Sequence, residues 1–143
     1  MLERWKMPPL IKVYEAMGAL GDGRVRLQDG GRAQVTSSEG NKTYDVEISA
    51  DNREISSNDN ASYWQGYLGY PGIAVLLARG FYRPPANVID ALAGVPWKEL
   101  NRRFRNDYDK TLEAVSKTVE ENGHDPDAVR IEAEALMEAV RKL

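Results

Sequence analysis

The spacing of apolar residues along the chain changes period twice, from helical to alternating and back to helical. Leu10, Val13, Tyr14 and Met17 recur at helical intervals, Pro8-Pro9 suits a helix start and Gly21 a stop, so a helix is predicted from about Pro9 to Leu20. The period then shortens. Val25 and Leu27 alternate with Arg24, Arg26 and Gln28, and Ala33 and Val35 continue the inward face beyond Asp29-Gly30-Gly31. Those glycines can take the positive φ that a hairpin turn requires. After a second turn at Glu39-Gly40-Asn41, Tyr44, Val46 and Ile48 alternate with Asp45, Glu47 and Ser49. A short strand around Ile55 follows the tight turn at Asp51-Asn52. One face of this meander is apolar and the other charged, which calls for helices on the apolar side.

From Ser56 the texture changes. Ser56-Ser57-Asn58-Asp59-Asn60 is a polar loop able to cap a helix, and Tyr63-Trp64-Gln65-Gly66-Tyr67-Leu68-Gly69-Tyr70 is rich in aromatic rings. Pro71 opens a short helix through Arg79, closed by Gly80. Its residues Ile73 to Ala78 are apolar all round, which marks a central buried element. Val88, Ile89 and Leu92 lie between Pro84-Pro85 and Gly94, and Pro96 opens a helix carrying Trp97, Leu100 and Phe104. Tyr108, Leu112, Val115 and Val119 form one stripe and Val129, Ala133, Leu136, Val140 and Leu143 another, joined across Asn122-Gly123 and restarted at Asp125-Pro126. Two such stripes predict an antiparallel helical hairpin.

The fold class expected is therefore α+β: an N-terminal helix, a three- to four-stranded antiparallel β-meander, and a helical C-terminal half. At 143 residues a single domain is expected, with helix plus meander in 1–57, buried helices in 58–107 and an acidic helical hairpin in 108–143. A composition of 42% hydrophobic and 29% charged residues is that of a globular chain. The absence of cysteine excludes disulfides, thiolate metal sites and cysteine nucleophiles, and suits a reducing compartment. The start, Met1 to Pro9, lacks the apolar stretch of a signal peptide, and the longest aliphatic run, Ile73 to Ala78, is too short to span a bilayer. A cytoplasmic protein without membrane contact is expected. The formal charge of −3 is uneven: residues 109–143 carry five Lys/Arg against nine Asp/Glu, whereas residues 1–50 balance at seven each.

Candidate chemistry is sparse, and neither a catalytic residue, a metal ligand nor a cofactor is predicted. Placed on one helix, Tyr63, Tyr67 and Tyr70 would lie at i, i+4 and i+7 as a ring platform. Beside it, Asn58, Asp59 and Asn60 would supply hydrogen bonds, and Trp64 a further ring. A ligand or partner site is expected in this Ser56–Tyr70 segment, although aromatic stripes also serve as core. Gly66, Gly69 and Gly72 resemble a phosphate loop only loosely, since Pro71 lacks an N–H and no Lys-Ser/Thr follows.

A second candidate is basic. Lys98, Arg102 and Arg105, with Arg103 beside them, would line the polar face of the helix after Pro96 and could hold nucleic-acid phosphates. The same face is also what any amphipathic helix needs. His124 stands alone in a turn whose chemistry explains it. The functional expectation is a non-enzymatic binding or interaction module, with nucleic-acid binding through the basic face and a small enzyme with a Tyr/Asn/Asp-lined pocket as alternatives. The acidic hairpin is a candidate surface for a protein partner or for self-association.

Overall fold

A computed structural model of the chain describes residues 6–59, 62 and 67–143. Helix α1 (Leu10–Gly21) leads into strands β1 (Val25–Leu27), β2 (Arg32–Thr36), β3 (Thr43–Ile48) and β4 (Ile55–Ser57), followed by helices α2 (Tyr70–Ala78), α3 (Ala86–Ala91), α4 (Trp97–Arg103), α5 (Tyr108–Glu121) and α6 (Pro126–Arg141). The strands form an antiparallel meander in the order β1-β2-β3-β4, so the α+β reading holds and four strands are present. Val35 pairs with Val25 on one side and Tyr44 on the other, and Ala33 with Leu27 and Val46. That register puts Ala33, Val35, Val46 and Ile48 on one face, all buried. On the opposite face the paired Gln34 and Asp45 join by a 3.2 Å hydrogen bond across the strands.

Helix α2 lies between the apolar face of the sheet and α1, in contact with all four strands and with α1. A helix covered on both sides must be apolar around its circumference, and Ile73, Ala74, Val75 and Leu76 are each fully buried. Its far end is fixed by Arg79, whose Nε donates to Asn52 Oδ1 at 3.1 Å and whose Nη2 donates to the Ser49 carbonyl at 3.0 Å. Asn52, at φ 64°, supplies the left-handed turn between β3 and β4 that the sequence suggested. Gly31 is constrained twice, by φ of 77° and by the Ile48 carbonyl oxygen only 2.2 Å from where a Cβ would stand.

Helices α5 and α6 form the expected hairpin, capped by Asp107 accepting from Lys110 N–H and Asp125 from Asp127 N–H. Their stripes, Val115 and Val119 with Val129, Ala133, Leu136 and Val140, are buried in the same core as α1 and α2. Each supplies its neighbour's apolar contacts within the chain. Tyr82 adds a tether, its hydroxyl donating to Glu132 Oε2 at 2.6 Å; that hydrogen bond, with the adjacent charge, pushes the phenol up to about 12.

Three details depart from expectation. Leu27 is about half exposed, at the end of β1, a three-residue strand at the edge of the sheet. In the 58–107 stretch only α2 is buried throughout; α3 and α4 are short and bury one side each. Helix α4 ends at Arg103, and Arg105 and Asn106 turn away at φ 52° and 62°. No helix among the described residues is long and apolar enough to cross a membrane.

Candidate functional site

The site begins with two charges in an otherwise apolar helix. From Ile11 to Ala19, α1 is buried except for Lys12, and the buried set includes Glu15, which keeps only 4% of its surface. A buried carboxylate is costly unless paired and hydrogen-bonded. Lys12 and Glu15 stand one turn apart, with Nζ 3.3 Å from Oε2, and Asn101 of α4 donates its Nδ2 to Glu15 Oε1 at 2.7 Å. Lys12 also lies 5.2 Å from the centre of the Tyr108 ring. Burial alone would lower the Lys12 pKa, but the charge of Glu15, the Tyr108 and Tyr67 hydroxyls and the contact with Glu15 together raise it above its ordinary value. Lys12 is therefore held as an ammonium ion.

A second cation comes from the entrance to β1. Arg24 donates Nε to Asp22 Oδ2 at 3.2 Å and Nη1 to the Thr36 carbonyl at 2.8 Å, and its guanidinium stands 5.9 Å from the Tyr70 ring centre. Tyr70 begins α2 and meets Tyr44 of β3 edge to face at 6.1 Å. Burial raises the pKa of both phenols, and each stays a neutral hydroxyl at physiological pH. Trp97, at the start of α4, is seated against Gly18 of α1: a Cβ there would lie 2.5 Å from the indole Nε1. Only glycine lets α4 approach so closely.

These side chains line an open cavity of about 430 Å³ between α1, β3, the β2–β3 turn and α4, a size typical of small-molecule sites. Lys12, Arg24, Lys98 and Arg102 bring four cations to its wall, and Glu15 and Asp59 two carboxylates. Among the described residues, Arg24 Nη2, Trp97 Nε1 and Asn101 Oδ1 are buried with no hydrogen-bond partner. Glu15 Oε2 meets Lys12 as an ion pair but completes no hydrogen bond. All four belong to residues of this wall, and Thr111 Oγ1 is the one further such atom among the described residues. Buried polar atoms are normally satisfied, and these four lie behind the wall, shielded from the void itself.

The residues singled out from sequence are distributed unevenly about this cavity. Asp59 and Tyr70 line it. Asp59 also organises its loop, accepting from the Ser57 hydroxyl and from both the backbone N–H and hydroxyl of Ser62. Asn58 does not face the cavity; its Oδ1 accepts from Asp45 N–H at 2.9 Å and extends the β3–β4 ladder. Tyr67 is not on a helix with Tyr70, since it pairs with Lys6 in an isolated parallel bridge and Leu68-Gly69 intervene before α2. Asn60, Tyr63 and Trp64 lie outside the described residues.

The basic group is also divided. Lys98 and Arg102 line the cavity mouth, where both reach Glu39 of the β2–β3 turn, at 3.9 and 3.1 Å. Arg103 pairs with Glu99, and Arg105, beyond the helix end, does not continue their row.

Lys12, Glu15, Arg24, Tyr44, Trp97 and Asn101 were missed as site residues. The Lys12/Glu15 pair was the detectable signal: two charges one turn apart inside a run of otherwise apolar helix. Arg24, Tyr44 and Asn101 carry no local signal, because alternation and amphipathicity account for each. Among the described residues, no group of three or more His, Asp or Glu side chains is placed to hold a metal ion.

A family model described as "Uncharacterised conserved protein UCP014422" matches residues 5–143. The comparisons found no match among curated proteins and none among solved structures.

Proposed function

We propose that this chain, which belongs to that uncharacterised conserved family, is a binding protein whose ligand is a small polar molecule held in the cavity between α1, β3 and α4. The observation that carries the reading is a void large enough for a metabolite, on whose wall Lys12, Arg24, Lys98 and Arg102 stand beside Tyr44 and Tyr70. The Ser56–Tyr70 segment contributes Asp59 and Tyr70 to this site, so the binding surface sits on its inner side. Binding is favoured over catalysis because the wall groups with displaced pKa values, Lys12, Tyr44 and Tyr70, are all displaced upward, away from neutrality.

A cytoplasmic setting is part of the reading, supported by the absence of cysteine. Nucleic-acid binding is the weaker proposal, since Lys98, Arg102 and Arg103 already face carboxylates. Self-association through α5 and α6 also has little support, because their apolar stripes are filled within the chain.

The test is to incubate the full chain with fractionated metabolite pools, wash, denature and identify retained molecules by mass spectrometry, alongside Ser38→Phe. Ser38 is half-buried in the cavity wall, and a ring there would occupy the space. Retention by the parent chain and loss in the variant is expected. Equal retention by both, or by neither, would refute a ligand in this cavity.

A further inference from the structure

Ser37 and Ser38 of the β2–β3 turn line the cavity together with Lys98 and Arg102 of α4, so the turn and the helix meet at its rim. From Ser37 to Lys42 the turn is closed on itself. Ser37 N–H donates to the Lys42 carbonyl and Gly40 N–H to the Ser37 carbonyl. Lys42 N–H donates to Ser37 Oγ, and the Ser37 hydroxyl to Asn41 Oδ1. Such a unit keeps its shape when it moves. Its hinge is the Thr36–Thr43 pair, the last of the β2–β3 ladder.

Two polar contacts join this unit to α4. The first is a cap supplied from outside the helix. Pro96, before α4, offers no side-chain acceptor, and the N–H of Lys98, second residue of the helix, has no carbonyl within it to bond. Ser38 Oγ accepts that N–H at 3.1 Å. The second contact is Glu39, whose carboxylate receives Arg102 Nη2 at 3.1 Å and Nη1 at 3.4 Å, with Lys98 Nζ 3.9 Å away.

Ser38 is half-buried and residues 39–43 are exposed, so no apolar burial of these residues reinforces the two contacts. The ion pair is itself open to water, Glu39 keeping 32% and Arg102 63% of their side-chain surface. Pairs of this kind are weak and are screened by salt. The turn is therefore a preformed body held to α4 by a hydrogen bond and a screened charge contact, which is the make-up of a segment that opens locally without global unfolding.

We infer that the β2–β3 turn is an electrostatic latch on α4. Closed, it narrows the cavity mouth; with Glu39 screened or neutralised it lifts from α4 and widens the opening. This control of access rests on the small-molecule reading above, whereas the latch itself is measurable without a ligand.

Hydrogen exchange at the Lys98 amide reads the closed state directly, since Ser38 Oγ is its partner. It is followed by 15N NMR on the full chain for the parent, Glu39→Gln and Ser38→Ala. The salt concentrations are about 0.01 M and about 1 M NaCl, where charges are screened over about 30 Å and about 3 Å. The Val75 amide, in buried α2, serves as the reference for global opening. In the parent the Lys98 rate is expected to rise about fivefold with salt. Glu39→Gln should exchange at that faster rate at both concentrations, and Ser38→Ala faster still at both.

A Lys98 rate indifferent to salt in the parent, or a Glu39→Gln chain indistinguishable from the parent, would overturn the latch. In the retention assay above, a compound held by the parent should wash off Glu39→Gln about fivefold faster. Equal loss from both would overturn the control of access. Should the parent retain nothing, the small-molecule reading falls and the exchange rates alone decide the latch.

Discussion

The Lys12–Glu15 pair can be tested as a thermodynamic cycle, using Glu15→Leu, Lys12→Met and the double variant. Glu15→Leu removes the carboxylate that faces both the Lys12 ammonium at 3.3 Å and the Asn101 amide at 2.7 Å. Breaking a buried pair from one side costs about 3–5 kcal/mol, because the remaining charge is stranded. Lys12 keeps 15% of its side-chain surface, so the lower end applies, about 3 kcal/mol, with about 1 kcal/mol more for the orphaned Asn101 amide. Urea unfolding followed by circular dichroism should show a midpoint lowered by about 2 M for a chain of this size. Lys12→Met strands the carboxylate instead and should cost about 3 kcal/mol.

The double variant replaces both charges with apolar groups of similar size. It should return to within about 1 kcal/mol of the parent or exceed it, a coupling of about 3 kcal/mol or more. The pH must be chosen with the sign in mind. Lys12 has a raised pKa in the folded chain, so its contribution is complete below the ordinary lysine value of 10.5 and is lost only as pH rises through the higher folded value. Measurement at neutral pH therefore isolates the charged pair. A double variant as unstable as the sum of its singles would refute the pairing.

Other expectations follow from packing and titration. Gly18→Ala places a methyl 2.5 Å from Trp97 Nε1, so the usual helix gain of about 1 kcal/mol should be reversed to a net loss of about 1–3 kcal/mol, with a displaced Trp97 indole resonance. Leu76→Ala, at a fully buried position between sheet and α1, should cost about 2–5 kcal/mol in denaturant unfolding, whereas Ile131→Ala, at 59% exposure, should stay within about 0.5 kcal/mol.

Spectrophotometric titration at 295 nm should show Tyr14, Tyr44, Tyr67, Tyr70 and Tyr82 ionising above the ordinary value of 10.0. Because these phenols are held neutral, the stability they contribute is present below pH 10 and lost as pH rises through their folded values, to about 12 for Tyr82. Tyr82→Phe should remove the component near 12; a native titration with every phenol at 10 would refute this.

The elements were legible because each has a period and a stop of its own. The all-apolar run Ile73 to Ala78 fitted a covered helix or a buried strand, and Pro71 before it and Gly80 after it favoured the helix the structure shows; Gly30, Gly31, Gly40 and Asn52 marked turns whose positive φ is present. The cavity was far less legible. Its wall is drawn from Lys12 to Asn106, through contacts such as Asn101 to Glu15, 86 positions apart, that leave no local trace. Tyr70 and Asp59, which line it, stood out in sequence because aromatic and polar density is local. The expected tyrosine platform failed because Leu68-Gly69 separate Tyr67 from α2, an interruption that helical spacing alone does not register. Lys98 and Arg102 were expected in one basic face with Arg103 and Arg105, and the anion that both meet, Glu39, lies on a strand turn some sixty positions earlier.

The dispersal of that wall ties occupancy to the integrity of the whole molecule. Residues from α1, the strands and α4 meet there, so a guest of the kind proposed would touch segments far apart in the chain at once. A guest that recognises only the assembled form then protects the chain globally, by about 2.7 kcal/mol at a hundredfold excess over its dissociation constant. On the proposed function, melting temperature would therefore report occupancy.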